Sequence, residues 1–204
     1  ICGADMQPKV DGQSIPLWES ILVKAGQVLE LNFCLNGART YIAFSGGIDI
    51  PSWLNSKSTF HKAGVGGVDG HAIQEGQKIS LGKSHGVFGK RVKSEAIPEM
   101  SKSGLWEIEV VRGPNDDWLD EKGYKTFLQA EWKLQARSDR TGFRLDGPQL
   151  TFMEKAINKP PEHGYEPSNI IDQGYPIGGI NLAGQTPIIL VNDGPSMGGF
   201  IVPY

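Results

Sequence analysis

The sequence predicts an all-β protein with one or two short helices. Apolar and polar residues alternate with period two in several segments, which is typical of strands that bury one face. The 27 Gly and 13 Pro residues among 204 indicate many turns. Hydrophobic residues make up 39% of the chain, which is enough for a packed core in one large β domain or two small lobes.

A hairpin and a strand are predicted near the start of the chain. Asp11-Gly12 is a strong signal for a hairpin turn. Residues 28–35 alternate with period two and predict a half-buried strand. Its apolar face holds Leu29, Leu31, Phe33 and Leu35. Cys34 is then a buried thiol, and with Cys2 it offers neither a disulfide framework nor metal-ligand spacing.

A pair of glycines follows the next predicted strand. Asn36-Gly37 is a second hairpin signal, and residues 39–45 form the strand to which it returns. That strand leads to Gly46-Gly47 and Asp49. Glycines at this point either turn backbone amides toward a ligand or simply form a bulge, and the two interpretations stay open.

The middle of the chain is predicted to be irregular. Residues 59–81 form a long, mobile, glycine-rich loop that ends in a short strand over residues 78–81. Gly82-Lys83-Ser84 resembles the tail of a phosphate-binding loop, but the glycine required upstream is missing, so nucleotide binding is excluded here. Residues 85–103 form a basic, exposed connection that includes Lys102.

A strand and a helix are predicted next. Residues 105–111 alternate again and predict a strand that stops at Gly113-Pro114. Its inward face holds Trp106, Ile108 and Val110. Residues 118–129 are the best helix candidate. Asp116 and Asp117 are interpreted as helix caps in preference to catalytic residues.

A charged turn over residues 137–147 organises the second half of the chain. Ser138 and Asp139 favour a turn, and Gly142 permits a close approach that a Cβ would block. The chain then returns to strand-like alternation. A turn that feeds a strand, with Arg140 at the bend, can hold a charged pair over a pocket; a solvated hairpin with a surface ion pair fits the same residues.

Three further strands are predicted around a long irregular region. Residues 132–135 precede the charged turn, and residues 148–176 contain several prolines that break regular structure. Residues 178–181 and 187–192 are the last strands, and the second is apolar on both faces, so it is central. It leads into a turn that carries Asn192, Asp193 and Ser196.

Bulk properties exclude several classes of protein. A net charge of −3 argues against a nucleic-acid surface. No run approaches the roughly 18 apolar residues of a membrane helix, and no signal peptide is present. A cytoplasmic location fits these features. The start at Ile1 and the end at Tyr204 lead us to expect a piece of a longer protein.

Four blocks of sequence resemble the carboxyltransferase domain of biotin-dependent urea carboxylases, the allophanate hydrolase subunit 2 type shared with the C subunit of 5-oxoprolinase. The blocks cover residues 45–59, 112–118, 138–148 and 193–200. They occur in the family's order, so the resemblance extends over nearly the whole chain. Residues 167–176 resemble the branch found in fungal urea amidolyase more than the 5-oxoprolinase branch.

The resemblance implies a fold, a reaction and partners. The fold would be built from cyclophilin-like β-barrel lobes, and the reaction would transfer a carboxyl group from N-carboxybiotin to urea, giving allophanate. Biotin would be carried by another domain, and ATP would be used by a separate biotin carboxylase domain. The chain would be one half of a larger unit, beside a second carboxyltransferase lobe and a biotinyl carrier domain, and inactive alone.

The family blocks also supply candidate site residues. Arg140, Asp139 and Asp49 are the candidate catalytic residues, with the arginine as a donor to negative charge and the carboxylates as acceptors from urea. The candidate substrate-binding residues are Gly46, Gly47, Ser58, Ser138, Asp193, Ser196, Gly198 and Gly199 from the blocks, and Asn192, which directly precedes the last block at the end of a predicted strand. These loops are expected to meet around one concave pocket. No residue is assigned to the cofactor, and no metal site is predicted.

Two other functions stay open. One is a protein like the C subunit of 5-oxoprolinase, in which ATP and 5-oxoproline replace biotin and urea. The other is a regulatory binding module, because bacterial relatives act as antagonists of a sporulation kinase inhibitor. In that case the same surface would serve protein association.

Overall fold

The computed structural model describes residues 1–101 and 103–204. Lys102, part of the predicted basic connection, lies outside the described residues. The chain divides into two compact units, Ile1–Glu107 and Ile108–Tyr204. Short strands dominate both, which confirms the all-β class with short helices, while the closed barrels implied by the family resemblance stay a prediction.

The described residues of the first unit form seven short strands in three small sheets. The strands are β1 (Cys2–Asp5), β2 (Lys9–Val10), β3 (Gln13–Ser14), β4 (Leu29–Glu30), β5 (Asn36–Tyr41), β6 (Thr59–Phe60) and β7 (Val65–Gly66). They pair as β1–β5, β3–β2–β4 and β6–β7. A single 3-10 turn, Ser94–Ala96, occurs among these residues. The predicted hairpin at Asp11-Gly12 is confirmed, because β2 and β3 flank it and both turn residues have positive φ.

The strand predicted over residues 28–35 is wrong for most of its length. Only Leu29–Glu30 is a strand, and Phe33 is 93% exposed. Cys34 is exposed and not buried. The amides of Asn32 and Leu35 donate instead to carbonyls of the segment that follows β1 and of β1 itself. An apolar alternation forms a strand only where a neighbouring strand pairs with it.

The hairpin predicted at Asn36-Gly37 is also wrong, because these residues lie inside β5. Gly37 has a φ of +76°, and a Cβ there would lie 2.5 Å from Met100 Cε and 3.0 Å from Ala4 Cβ. The glycine therefore serves an irregularity in the β1–β5 pairing, whose register shifts between Gly3 and Asp5.

Two other segments differ from the prediction. The glycine-rich loop over residues 59–81 contains the β6–β7 hairpin, and residues 78–81 form only an isolated bridge, between Leu81 and Ile48. Residues 105–111 are described as irregular and not as a strand. Of the three residues predicted to face inward, Trp106 and Ile108 are 53% and 61% exposed, whereas Val110 packs against the larger buried cluster of the second unit.

The second unit holds the hydrophobic core. Its helices are α1 (Glu121–Gln129) and α2 (Glu154–Ile157), and its strands are β8 (Lys133–Leu134), β9 (Phe143–Asp146), β10 (Asn169–Gly174), β11 (Ile180–Ala183), β12 (Thr186–Ile189) and β13 (Met197–Phe200). The four-stranded sheet has the order β11–β12–β9–β8, so the predicted central position of the apolar segment is confirmed. The larger buried cluster consists of Leu119, Phe127, Leu150, Ile180, Leu182, Ile201 and Tyr204.

The region over residues 148–176 is more regular than predicted. It contains α2, a 3-10 turn over Pro161–His163, and β10, which pairs with β13. Pro161 is the first residue of the 3-10 turn, and the other prolines lie outside these elements, so none of them removes an amide donor that the elements need.

The predicted caps of α1 are wrong. The helix begins at Glu121 and not at Trp118, and its N-cap is Asp120, whose carboxylate accepts from the amide of Gly123 at 2.7 Å. A hydrogen bond from the Thr151 hydroxyl and that amide hold the pKa of Asp120 below its usual value.

The two aspartates predicted as caps have other partners. Asp116 pairs with Arg112 at 3.5 Å, and Asp117 pairs with Lys155. Their backbone segment is held by Asn115, whose Oδ1 accepts from the amide of Val202 at 2.8 Å. Residues 112–118, one of the four blocks that resemble the family, therefore hold the segment around Val202 against the core.

Residues 1–101 and 103–204 contain neither a membrane-spanning helix nor a metal cluster. No helix there is both long enough and apolar enough to span a bilayer. No three His, Cys, Asp or Glu side chains there are grouped so that they could hold a metal ion.

Buried and half-buried tyrosines make the stability of this unit sensitive to high pH. Burial, with the nearby Asp116 carboxylate, raises the pKa of Tyr124 to about 12, and burial also raises the pKa of Tyr175 and Tyr204. A folded-state pKa above the unfolded value of about 10 gives stability that is complete below pH 10 and is lost as pH rises through the folded value.

We therefore expect the free energy of unfolding to fall between pH 10 and about 12. Denaturant titrations at several pH values measure this fall, and Tyr124→Phe should make it shallower. A free energy of unfolding that stays level over that range, in both proteins, contradicts the prediction.

Candidate functional site

A tight turn between β8 and β9 carries Arg140. Asp139 and Gly142 close the turn with two backbone hydrogen bonds of 3.3 Å. The Asp139 carboxylate accepts from the Thr141 amide at 2.8 Å and from its hydroxyl at 2.5 Å. This carboxylate shapes the turn and leaves Arg140 at its tip, as the turn chemistry of the sequence predicts.

Ser138 supports the same turn from its other side. Its hydroxyl accepts from the Arg144 amide at 3.0 Å and donates to the Arg144 carbonyl at 3.3 Å. The side chain therefore joins the segment before the turn to the strand after it. The structure gives Ser138 a role in positioning the turn, while the prediction that it contacts substrate stays a prediction.

Strand pairing places a second turn beside the first. β9 and β12 are antiparallel, with Ile189 opposite Phe143, so the residues before β9 lie beside those after β12. A Cβ on Gly142 would lie 2.6 Å from Ile188 Cγ2, and one on Gly194 would lie 3.0 Å from the Thr141 carbonyl. Glycine at position 142 allows the first turn to pack against β12, and glycine at position 194 allows the two turns to touch.

An ion pair joins the two turns. Arg140 Nε lies 2.6 Å from Asp193 Oδ2, and the two side chains are 60% and 42% exposed. Water screens a pair with this exposure, so its contribution to folding is small, about 0–1 kcal/mol. The pair instead orients the guanidinium, whose other N–H groups suit an oxygen-rich ligand.

A small pocket adjoins this pair. Its volume is about 160 Å³, and its walls come from residues 175–177, 190–192 and 194–196. Drug-sized ligands occupy about 300 Å³ or more, so this pocket suits a small molecule or one edge of a larger molecule. Asn192, Ser196 and Tyr175 are its lining residues with polar side chains, and Asp193 lies between two lining residues.

Tyr175 forms one wall of the pocket and was missed as a site residue from sequence. Its hydroxyl accepts from the Phe200 amide at 2.7 Å and donates to the Phe200 carbonyl at 3.2 Å. Prolines on both sides of β10 led us to predict no regular structure there, so the sequence analysis did not place Tyr175 directly after a strand. The strand itself could have been recognised from Ile170 and Ile171, which are β-branched.

Gly198 and Gly199 permit the close packing of β13. A Cβ on Gly198 would lie 3.0 Å from the Tyr175 ring, and one on Gly199 would lie 3.1 Å from the Ile170 carbonyl. Both glycines therefore bring β13 against the strand and the tyrosine that border the pocket. Their amides as donors to substrate stay a prediction.

The remaining predicted site residues belong to the first unit. Gly47 donates its amide to the Phe44 carbonyl at 2.9 Å, and Gly46 packs against the backbone of Gly82. Asp49 is exposed, and Ser58 donates its amide to the Ser56 hydroxyl at 3.1 Å. The prediction that this group joins Arg140 and Asp193 around one pocket stays a prediction.

A larger concavity does not serve as the site. It has a volume of about 740 Å³ and lies along α1, where Asp120 to Ala130 supply the lining. It is an open depression on one helix, so it cannot enclose a small ligand. The smaller pocket beside Arg140 is the better candidate.

Comparison with known proteins identifies the family. A family model described as carboxyltransferase domain, subdomain A and B, matches residues 1–204. The chain belongs to this carboxyltransferase-domain family. It is 35% identical to urea amidolyase of Saccharomyces cerevisiae over 98% of this chain, and 31% identical to the C subunit of 5-oxoprolinase of Escherichia coli over 98%. The crystal structure of K. lactis urea amidolyase matches with a TM-score of 0.87 at 31% identity over 98% of this chain.

The carboxyltransferase chain spans only part of these relatives. It covers 11% of the S. cerevisiae protein, 13% of the K. lactis chain and 59% of the E. coli protein. The match of the family model over residues 1–204 confirms the resemblance seen in the sequence.

The contact at Gly142 can be tested by adding one methyl group. Gly142→Ala forces Ile188 or the turn to move, and overpacking of this kind costs about 1–3 kcal/mol. Gly174→Ala is the matched control, because a Cβ there meets nothing within 4 Å. Urea-induced unfolding should show a lower free energy of unfolding for Gly142→Ala alone. Equal stability of the two variants contradicts the close approach.

Proposed function

We propose that this chain is part of the carboxyltransferase unit of a biotin-dependent urea carboxylase, where it transfers a carboxyl group from N-carboxybiotin to urea to give allophanate. The observation that carries this proposal is the Arg140–Asp193 pair beside a small pocket with polar Asn192 and Ser196 side chains. The sequence similarity to fungal urea amidolyase supports it.

The pocket fits the proposed substrate in size and in hydrogen-bonding groups. Urea is a small planar amide with one acceptor oxygen and four N–H donors, so it needs both kinds of partner. Asn192 offers an amide that both donates and accepts, and Ser196 offers a hydroxyl. The volume of about 160 Å³ is enough to hold such a molecule.

The cofactor also fits the residues present. Biotin, when bound, supplies an activated carboxyl group on a ureido nitrogen. Its oxygens require donors, and Arg140 provides a guanidinium with five N–H groups, of which Nε–H faces Asp193. Arg140 would therefore bind and orient the carboxyl group and stabilise negative charge that develops on these oxygens.

The carboxylates have different proposed roles. Asp193 holds the Arg140 guanidinium in place, and its remaining acceptor capacity is available to an N–H group of urea. Asp139 acts through the turn, because both Thr141 donors reach its carboxylate. Asp49, with Gly46, Gly47 and Ser58, is proposed to complete the site from the first unit.

The proposed setting is a multidomain cytoplasmic enzyme. This chain would be one half of a larger carboxyltransferase unit and would work beside a second lobe and a biotinyl carrier domain. A separate domain would use ATP. The isolated chain would then lack turnover, since the activated carboxyl group comes from elsewhere in the parent protein.

One observation favours a second candidate, a role like that of the C subunit of 5-oxoprolinase. The chain covers 59% of that E. coli protein but only 11% of the yeast urea amidolyase. Residues 167–176 favour urea carboxylase over this alternative, because they resemble its branch. ATP hydrolysis that depends on 5-oxoproline and not on urea would decide for the second candidate.

Replacement of Arg140 tests the proposed chemistry in the full-length protein. Arg140→Ala should lower the kcat of urea-dependent ATP hydrolysis by about 10²- to 10³-fold, because a donor to developing negative charge is lost. Carboxylation of biotin, assayed alone, should continue. Arg137→Ala is the matched control, because the Arg137 side chain donates a hydrogen bond to Gln135 Oε1 at 2.5 Å. The kcat of this control should stay within about twofold of the unaltered protein.

Two results would count against the proposal. Urea-dependent ATP hydrolysis that survives Arg140→Ala removes this arginine from the site. An unaltered full-length protein with no urea dependence removes the proposed reaction.

A further inference from the structure

The short segment between β10 and β11 holds both ends of the turn that follows β12. After the turn, the carbonyl of Ser196 accepts from the Tyr175 amide at 2.8 Å. Before the turn, Leu190 accepts from the Gly178 amide and donates to the Gly179 carbonyl, each at 2.9 Å. The position of the turn after β12 therefore depends on this segment.

The side chain of Tyr175 anchors the same segment to β13. Tyr175 is only 9% exposed, and it forms the smaller buried cluster with Leu190 and Val202. Its hydroxyl accepts from the Phe200 amide at 2.7 Å and donates to the Phe200 carbonyl at 3.2 Å. One residue therefore holds the turn through its backbone amide and the strand after the turn through its hydroxyl.

The pairing of β10 with β13 is irregular at this point, so side chains supply part of its hydrogen bonding. Asn169 lies opposite Phe200, and Gln173 lies opposite Gly198. Four residues of β10 therefore span the length of two in β13, as in a bulge. A bulge leaves backbone groups in need of other partners, and the Tyr175 hydroxyl and Gln173 Nε2 both bond Phe200.

Gln173 continues this network away from the pocket. Its Nε2 donates to Asn115 Oδ1 at 2.6 Å, and the same oxygen accepts from the Val202 amide at 2.8 Å. Gln173 thus joins β13 to the segment around Asn115. Tyr175 is the member of the network that also lines the pocket.

The turn held in this way carries the polar groups of the proposed urea site. Asn192, Asp193 and Ser196 are all exposed, and Asp193 also pairs with Arg140. Exposed side chains keep a binding arrangement only when the backbone that carries them is fixed. A shift of the turn would move Asn192 and Ser196 relative to a bound amide.

We propose that Tyr175 is a positioning residue of the urea site, because its amide and its hydroxyl together fix the turn that presents Asn192 and Ser196 to the substrate. This inference rests on the proposed function for the identity of the substrate. Tyr175 needs no contact with urea in this role. Burial raises the pKa of Tyr175, so its hydroxyl keeps its proton at neutral pH and remains able to donate.

Removal of one hydroxyl group tests this role in the full-length protein. Tyr175→Phe keeps the ring and should raise the KM for urea about 10-fold, because urea would have to order a looser turn. The kcat of urea-dependent ATP hydrolysis should stay within about threefold, since a loss of ground-state binding alone does not lower kcat. Tyr165→Phe is the matched control and should leave this KM unchanged, because Tyr165 is 96% exposed.

Hydrogen exchange of the same full-length proteins gives a second readout that needs no turnover. Amides of residues 191–200 should exchange about 10-fold faster in Tyr175→Phe than in the unaltered protein, because the turn and β13 lose an anchor. Amides of α1 should exchange at the same rate in both proteins, since the loss is local. Tyr165→Phe should match the unaltered protein in both segments.

Two results would overturn the inference. One is a KM for urea that stays within about twofold of that of the unaltered protein. The other is exchange over residues 191–200 that is unchanged, or that accelerates together with α1, which would give Tyr175 a general role in stability. An unaltered protein without urea-dependent ATP hydrolysis would overturn the proposed function, and the exchange result would then decide alone whether Tyr175 positions the turn.

Discussion

The antiparallel register of β9 and β12 determines the candidate site. Ile188 lies opposite Arg144 and Ile189 opposite Phe143, so the turn before β9 and the turn after β12 are neighbours. A shift of one residue would turn the side chains of a strand to the opposite face and separate Arg140 from Asp193. Gly142 and Gly194 allow this register, because a Cβ on Gly142 would crowd Ile188 of β12 and a Cβ on Gly194 would crowd the Thr141 carbonyl of the other turn.

The polar groups of the site act mainly on orientation. The Arg140–Asp193 pair is too exposed to contribute much to folding. Around it, Asp139 bonds Thr141 and Ser138 bonds Arg144, so the turn is fixed before any ligand arrives. Preorganised donors of this kind avoid the cost of reorganisation during reaction, which is the physical basis for our proposal that Arg140 is catalytic.

Local chemistry explains which features the sequence could predict. The turn around Asp139 follows from short-range hydrogen bonds, and the apolar run in β12 indicates a central strand without reference to any partner. The strand predicted over residues 28–35 was wrong because strand pairing depends on a neighbouring strand, which sequence alternation does not specify. The start of α1 was missed because Thr151, distant in sequence, helps to select Asp120 among three nearby aspartates.

A double-mutant cycle between Arg140 and Asp193 tests most directly whether they act as one unit. The kcat/KM for urea would be measured for the full-length enzyme, for Arg140→Ala, for Asp193→Ala and for the double variant. If Asp193 works chiefly by holding Arg140, the double variant should be about as impaired as the worse single variant, with a coupling energy of about 1 kcal/mol or more. Losses that simply add would contradict this account.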